Sequence, residues 1–82
     1  MRVVITPRVE RAITRLPSHV IPRIRRAILD LPTTWTRGKV LEGEYEGCRV
    51  IRVWPYRIIY EVHKRELVIT ILRVADRKDA YR

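Results

Sequence analysis

The chain has 82 residues, about half of an ordinary domain, so one small domain spanning residues 1–82 is expected and there is no room for two. Its 18 Lys and Arg against 9 Asp and Glu leave a charge of +9, which favours an anionic partner: nucleic acid, an anionic membrane surface or an acidic protein segment. A single cysteine, Cys48, excludes an internal disulfide, and with His19 and His63 it makes no close set of metal ligands, so neither metal nor cofactor is expected and a reducing cytoplasm fits.

The longest nearly apolar stretch, Leu67–Leu72, has the length of a strand, and no membrane segment or signal peptide is expected. A chain this short buries only about 60% of the surface its unfolded form exposes, so its core is small and a binding partner is expected. Of the cations, 15 are Arg and only Lys39, Lys64 and Lys78 are Lys. The guanidinium suits planar, two-pronged phosphate contacts.

Arg2 to Ile5, β-branched at three of four positions, reads as a strand, and Thr6-Pro7 as the start of a helix. Val9, Ala12, Ile13 and Leu16 form its apolar stripe, Arg8, Arg11 and Arg15 line another face, and Pro17 ends it. Ser18 is a candidate cap for a second helix, with Pro22 in its first turn, or at its first helical position if the helix starts later, and Ile21, Ile24, Ile28 and Leu31 at helical spacing. With one or two residues between them, the helices are expected to form a hairpin.

Helical periodicity stops at Pro32, and Pro32 to Gly47 reads as a long connection containing an acidic island, Glu42, Glu44 and Glu46. The residues up to Leu41 include 9 basic and 2 acidic side chains, a balance of +7; the remainder, with 9 and 7, carries +2. From Cys48 the period falls to two, and Cys48–Val53, Tyr56–His63 and Glu66–Ala75 read as three antiparallel strands joined at Trp54-Pro55 and His63-Lys64-Arg65. The expected fold class is α+β: a strand, a helical hairpin, and a small antiparallel sheet on which the hairpin packs.

Alternation places Tyr56, Ile58, Tyr60 and Val62 on the better core face, and Arg57, Ile59, Glu61 and His63 on the other. Arg52 lies across the tight turn from Arg57, and Arg73 and Arg77 belong to the neighbouring strand and its end, so three or four guanidinium groups are candidates to converge. Trp35 and Trp54 are candidates to cover the core or to stack on a base. Cys48 reads as a small residue at the edge of the core, because no His is placed to activate it.

The run Cys48–Val62, CRVIRVWPYRIIYEV, followed by Glu66–Arg82, ELVITILRVADRKDAYR, resembles the closing half of the RelE/ParE superfamily of type II toxins. The segment Gly38–Gly43, GKVLEG, also resembles the stretch before that family's second strand. The resemblance implies a β-α-α-β-β-β RelE-like fold with a variable C-terminal helix. It implies a toxin that either cleaves mRNA on the ribosome, as the RelE branch does, or inhibits DNA gyrase by protein binding, as the ParE branch does, or a non-catalytic relative of these. The closing tyrosine, Tyr81, leans to RelE.

On that resemblance Arg57 stands where an arginine grips the scissile phosphate, Arg77 where a second lies near the leaving group, and Tyr81 beside the reacting nucleotide. The family reaction needs no metal: the ribose 2′-hydroxyl attacks its own phosphate and leaves a 2′,3′-cyclic phosphate and a 5′-hydroxyl. Arg52 is expected to stabilise the pentavalent phosphate, with Arg49, Lys39, Trp54, Arg73 and Lys78 as further RNA contacts. The implied partners are an acidic antitoxin, the ribosome and mRNA, and operator DNA only through the antitoxin complex. There is one departure: relatives carry basic residues at the positions of Cys48 and Val50. Arg49 is out of register with them unless a bulge turns it, and the usual place of the general base is empty.

Overall fold

In the computed structural model, which describes residues 1–78, five strands form one sheet in the order β1-β5-β4-β3-β2, with two helices, α1 and α2, on one face. The strands are β1 (Arg2–Ile5), β2 (Lys39–Val40), β3 (Arg49–Val53), β4 (Tyr56–His63) and β5 (Val68–Asp76). The meander β3-β4-β5 is antiparallel as expected, whereas β1 runs parallel to β5, Arg2 opposite Val68 and Ile5 opposite Ile71. The sheet is therefore mixed and larger than the three-stranded antiparallel one expected. β1 meets β5 only after the chain has passed through both helices and three further strands, a pairing no local period reports, and β2 is too short to show as a period in the sequence.

α1 (Pro7–Thr14) starts as predicted, with the Thr6 side chain accepting a hydrogen bond from the Val9 amide at 3.3 Å and Pro7 at the first helical position. α2 (Ile21–Thr34) departs from expectation at both ends. Val20 occupies its cap with no side-chain bond, Ser18 lies in the turn before it, and six residues separate the helices, not one or two. At its far end α2 runs through Pro32. Proline removes a single ladder bond there, and the Thr33 and Thr34 hydroxyls both donate to the Asp30 carbonyl at 3.0 Å.

α1 and α2 are tied by Arg25, whose guanidinium grips both carboxylate oxygens of Glu10 at 2.5 and 3.2 Å. That bond holds the Glu10 carboxyl below its ordinary 4.5. A depressed carboxylate contributes stability above its unfolded value and loses it as the pH falls through the folded one. The midpoint of thermal unfolding of wild type should therefore exceed that of Glu10→Gln at neutral pH, and the gap should close as the pH drops below 4.5. The gap should be small, since both side chains are in contact with water.

The main core lies between helices and sheet: Val9 and Ile13 of α1, and Ile24, Ile28 and Leu31 of α2, against Ile58, Tyr60, Ile69, Ile71 and Val74. The α2 stripe and the choice of core face on β4 are as expected; on α1 only Val9 and Ile13 are buried, and the helix ends at Thr14, before Leu16 and Pro17. A second, smaller cluster sits on the opposite face, where Leu41 and Tyr45 of the β2–β3 connection fold over Cys48, Val50 and Ile59.

Candidate phosphate-binding groove

Arg52 and Arg57 are direct cross-strand partners on β3 and β4. Directly opposed residues of an antiparallel pair project from the same face, and two like charges so placed repel by a few tenths to about 1 kcal/mol. Val50 faces Ile59 one step along, and Lys39 on the edge strand β2 faces Val50, so Lys39, Val50, Arg52, Arg57 and Ile59 share the face turned away from the helices. Arg37, in the 3₁₀ turn Trp35–Arg37, completes the set. Together these residues enclose a groove of about 400 Å³ whose described lining is four cations, Arg37, Lys39, Arg52 and Arg57, and two apolar residues, Val50 and Ile51. Such a lining concentrates positive potential over a surface the size of a phosphodiester.

The β4–β5 pairing carries one irregularity. Ile59 faces Arg73 and the next residue, Tyr60, faces Ile71, so Leu72 is extra on β5 and protrudes, 38% exposed. The bulge reverses the alternation of β5. Ile69 and Ile71 point into the core before it and Val74 after it, while Arg73 comes to the same face as Arg57 and Ile59. Arg73 does not line the four-cation groove; it borders a neighbouring one of about 290 Å³ with Arg8, Tyr45 and Leu72.

Arg77 is placed elsewhere than the sequence reading expects. Its guanidinium lies 4.8 Å from the centre of the Trp54 ring, and its amide donates to the Pro55 carbonyl at 2.9 Å. Arg23 of α2 donates to the Trp54 carbonyl at 2.8 Å, so the β3–β4 turn, with its cis Trp54–Pro55 bond, is held from two sides while the indole stays 56% exposed. This turn stands one residue beyond the Arg52–Arg57 pair. Lys78 follows Arg77, with its amide bonded to the Asp76 carboxylate at 3.0 Å. Tyr81 lies outside the described residues.

Arg49 is not brought to the groove. No bulge interrupts β3, so Arg49 pairs with Tyr60 and faces the helix side, donating to the Gly38 carbonyl at 2.9 Å and lying 5.5 Å from the centre of the Trp35 ring. Lys64 lies near the same ring, 5.6 Å from its centre. The Tyr60 hydroxyl donates to the Trp35 carbonyl at 2.6 Å, fixing the loop that presents Arg37 and Lys39. Arg37 was missed by the sequence reading; its only signal is its place two residues before Lys39.

Cys48 and Val50 are buried in the second cluster, and burial pushes the Cys48 thiol up from its ordinary value, against a role as nucleophile. His63 Nε2 lies 2.9 Å from a Glu61 carboxylate oxygen at the far end of β4. Among the described residues no three His, Cys, Asp or Glu side chains gather, and no helix is long and apolar enough to cross a membrane.

The family described as ParE toxin of type II toxin-antitoxin system, parDE, matches residues 3–81. The chain belongs to that family of toxins. A chain of the toxin–antitoxin complex RelBE2 from Mycobacterium tuberculosis superposes with a TM-score of 0.84 at 28% identity, covering 93% of this chain and 96% of that one. A chain of the archaeal RelE–RelB complex from Pyrococcus horikoshii gives 0.74 at 29% identity, with 96% and 97% covered. The intact Escherichia coli RelBE complex, at 20% identity, TM-score 0.74 and coverage of 92% and 94%, shares the fold. No curated protein matches the chain in sequence. Within the RelE/ParE superfamily the chain stands nearer the RelE branch.

Proposed function

We propose that this type II toxin is a metal-independent endoribonuclease that cleaves mRNA on the ribosome. The observation that carries the reading is the opposed pair Arg52 and Arg57, joined by Arg37 and Lys39 in one groove. Two guanidinium groups on one face of adjacent strands suit an anion held between them, and a scissile phosphodiester gains negative charge as the 2′-oxygen attacks. The groove would then stabilise the transition state more than the substrate. Trp54, exposed and backed by Arg77, offers a flat ring for a nucleobase next to that phosphate. Arg73 and Lys78 would contact the flanking backbone.

The partner that restrains it is an acidic antitoxin. The excess of +9 and the presence of antitoxins in the related complexes support this, and contact with operator DNA would come only through that complex. The place of action is the cytoplasm, where ribosomes are.

A second reading, inhibition of DNA gyrase through protein binding, is favoured by the match to the ParE family over residues 3–81. One experiment separates the two. Purified toxin added to ribosomes translating a defined mRNA in excess chelator should give discrete cuts by primer extension, with fragments ending in 2′,3′-cyclic phosphate. Intact mRNA, together with trapped cleaved DNA–gyrase complexes in a parallel assay, would select the second reading.

A further inference from the structure

Four cations in a groove stabilise charge, yet cleavage also moves two protons: one leaves the 2′-hydroxyl and one must reach the departing 5′-oxygen. A guanidinium does not give up its proton in proteins, so Arg37, Arg52 and Arg57 cannot supply it. Lysine can. Of the three lysines, Lys64 lies over the Trp35 ring on the helix side of the sheet, and Lys78 lies in the turn after β5, outside the groove lining. Lys39 remains, exposed on the edge strand β2, directly opposite Val50 and bordering the groove shared with Arg52 and Arg57.

Its setting is unlike that of a stray surface amine. Strand β2 has only two residues, and it is pinned on both sides. Before it, Gly38 packs against the Tyr60 hydroxyl, and its carbonyl accepts a hydrogen bond from Arg49. After it, the Leu41 amide donates to the Cys48 carbonyl at 2.8 Å. The backbone that carries Lys39 is therefore placed by the sheet, opposite Val50 and on the rim of the groove.

We propose that Lys39 is the general acid of RNA cleavage, an inference that rests on the ribonuclease reading above. The 2′-oxygen forms a bond to phosphorus and the bond from phosphorus to the 5′-oxygen breaks. The Lys39 ammonium gives one proton to that 5′-oxygen, and water takes the proton of the 2′-hydroxyl. The neutral amine regains a proton from solvent, so the residue turns over unchanged.

The test compares wild type, Lys39→Met and Lys39→Arg on ribosome-bound mRNA carrying either an ordinary phosphodiester or a single 5′-bridging sulfur at the cut site. A sulfur leaving group departs as thiolate and needs no acid. Both variants should cleave the ordinary site about 10²-fold more slowly than wild type, and both should cleave the sulfur site within a few-fold of it. Circular dichroism should report an unchanged fold, since the residue is exposed. The inference is overturned if Lys39→Arg keeps the wild-type rate on the ordinary site, because charge alone then suffices, or if sulfur fails to restore Lys39→Met. Wild type that leaves both mRNAs intact would overturn the ribonuclease reading itself, a different result from a wild type that cuts and a variant that behaves like it.

Discussion

Arg57→Ala should cut ribosome-bound mRNA about 10² to 10³ times more slowly than wild type, a loss of about 2 to 4 kcal/mol of transition-state stabilisation. The expectation follows from where the guanidinium stands. It projects from the middle layer of the sheet, on the face away from the helices and directly across from Arg52, where a strand-borne side chain loses little freedom on gripping an anion. The fold should be little affected, because Ile58 and Tyr60 of the same strand hold the core from its other face while Arg57 stands opposite another cation. Arg8→Ala is the matched control: it removes one positive charge from an exposed site on the first turn of α1, outside this groove. Equal rates for folded Arg57→Ala and Arg8→Ala would mean that general attraction, not the groove, carries the activity.

The parts of the fold legible in the sequence were those written as a period. The stripe Ile24, Ile28, Leu31 and the alternation Tyr56, Ile58, Tyr60 each have one physical cause, burial of one face, and both the α2 stripe and the core face of β4 follow from it. Strand pairing also placed Arg52 by Arg57, because a tight turn at Trp54-Pro55 leaves few registers. What escaped was set by tertiary contacts. β2 is two residues long and owes its existence to β3 beside it, and α2 continues through Pro32 because the cost of one lost bond is borne by a helix already packed through Ile28 and Leu31.

The bulge at Leu72 did leave a trace in the sequence. Strict alternation from Ile69 and Ile71 would send Arg73 into the core, which a guanidinium resists, and one extra residue resolves the conflict by sending Val74 there instead. The same logic applied to β3 separates Arg49 from Arg52 and Arg57: three residues apart, Arg49 and Arg52 occupy opposite faces when no bulge intervenes. Arg77 is a different case. Its position at the end of β5 was legible, but the nearby Trp54 ring captures the guanidinium, and a pairing of that kind depends on the turn conformation, not on spacing.

Gly38→Ala should destabilise the protein by about 3 kcal/mol, the sum of overpacking and a disrupted buried hydrogen bond. A methyl group on Gly38 would overlap the Tyr60 hydroxyl, lie 2.9 Å from its ring carbon Cζ and 3.2 Å from the Arg49 Cβ. Tyr60 cannot swing clear, since it is fully buried and its hydroxyl holds the Trp35 carbonyl. The loop must move instead, and that loop carries Arg37 on one side of Gly38 and Lys39 on the other. Tyr60→Phe alone should cost about 1 kcal/mol, because the Trp35 carbonyl loses its donor. In the double variant the worst overlap is gone, so Gly38→Ala with Tyr60→Phe should be less destabilised than the two single losses added together, by roughly 1 kcal/mol or more. Denaturant unfolding of the four proteins measures this directly. Strict additivity would mean that Gly38 and Tyr60 do not meet, and that the loop bearing Arg37 and Lys39 is held over the groove by something other than their contact.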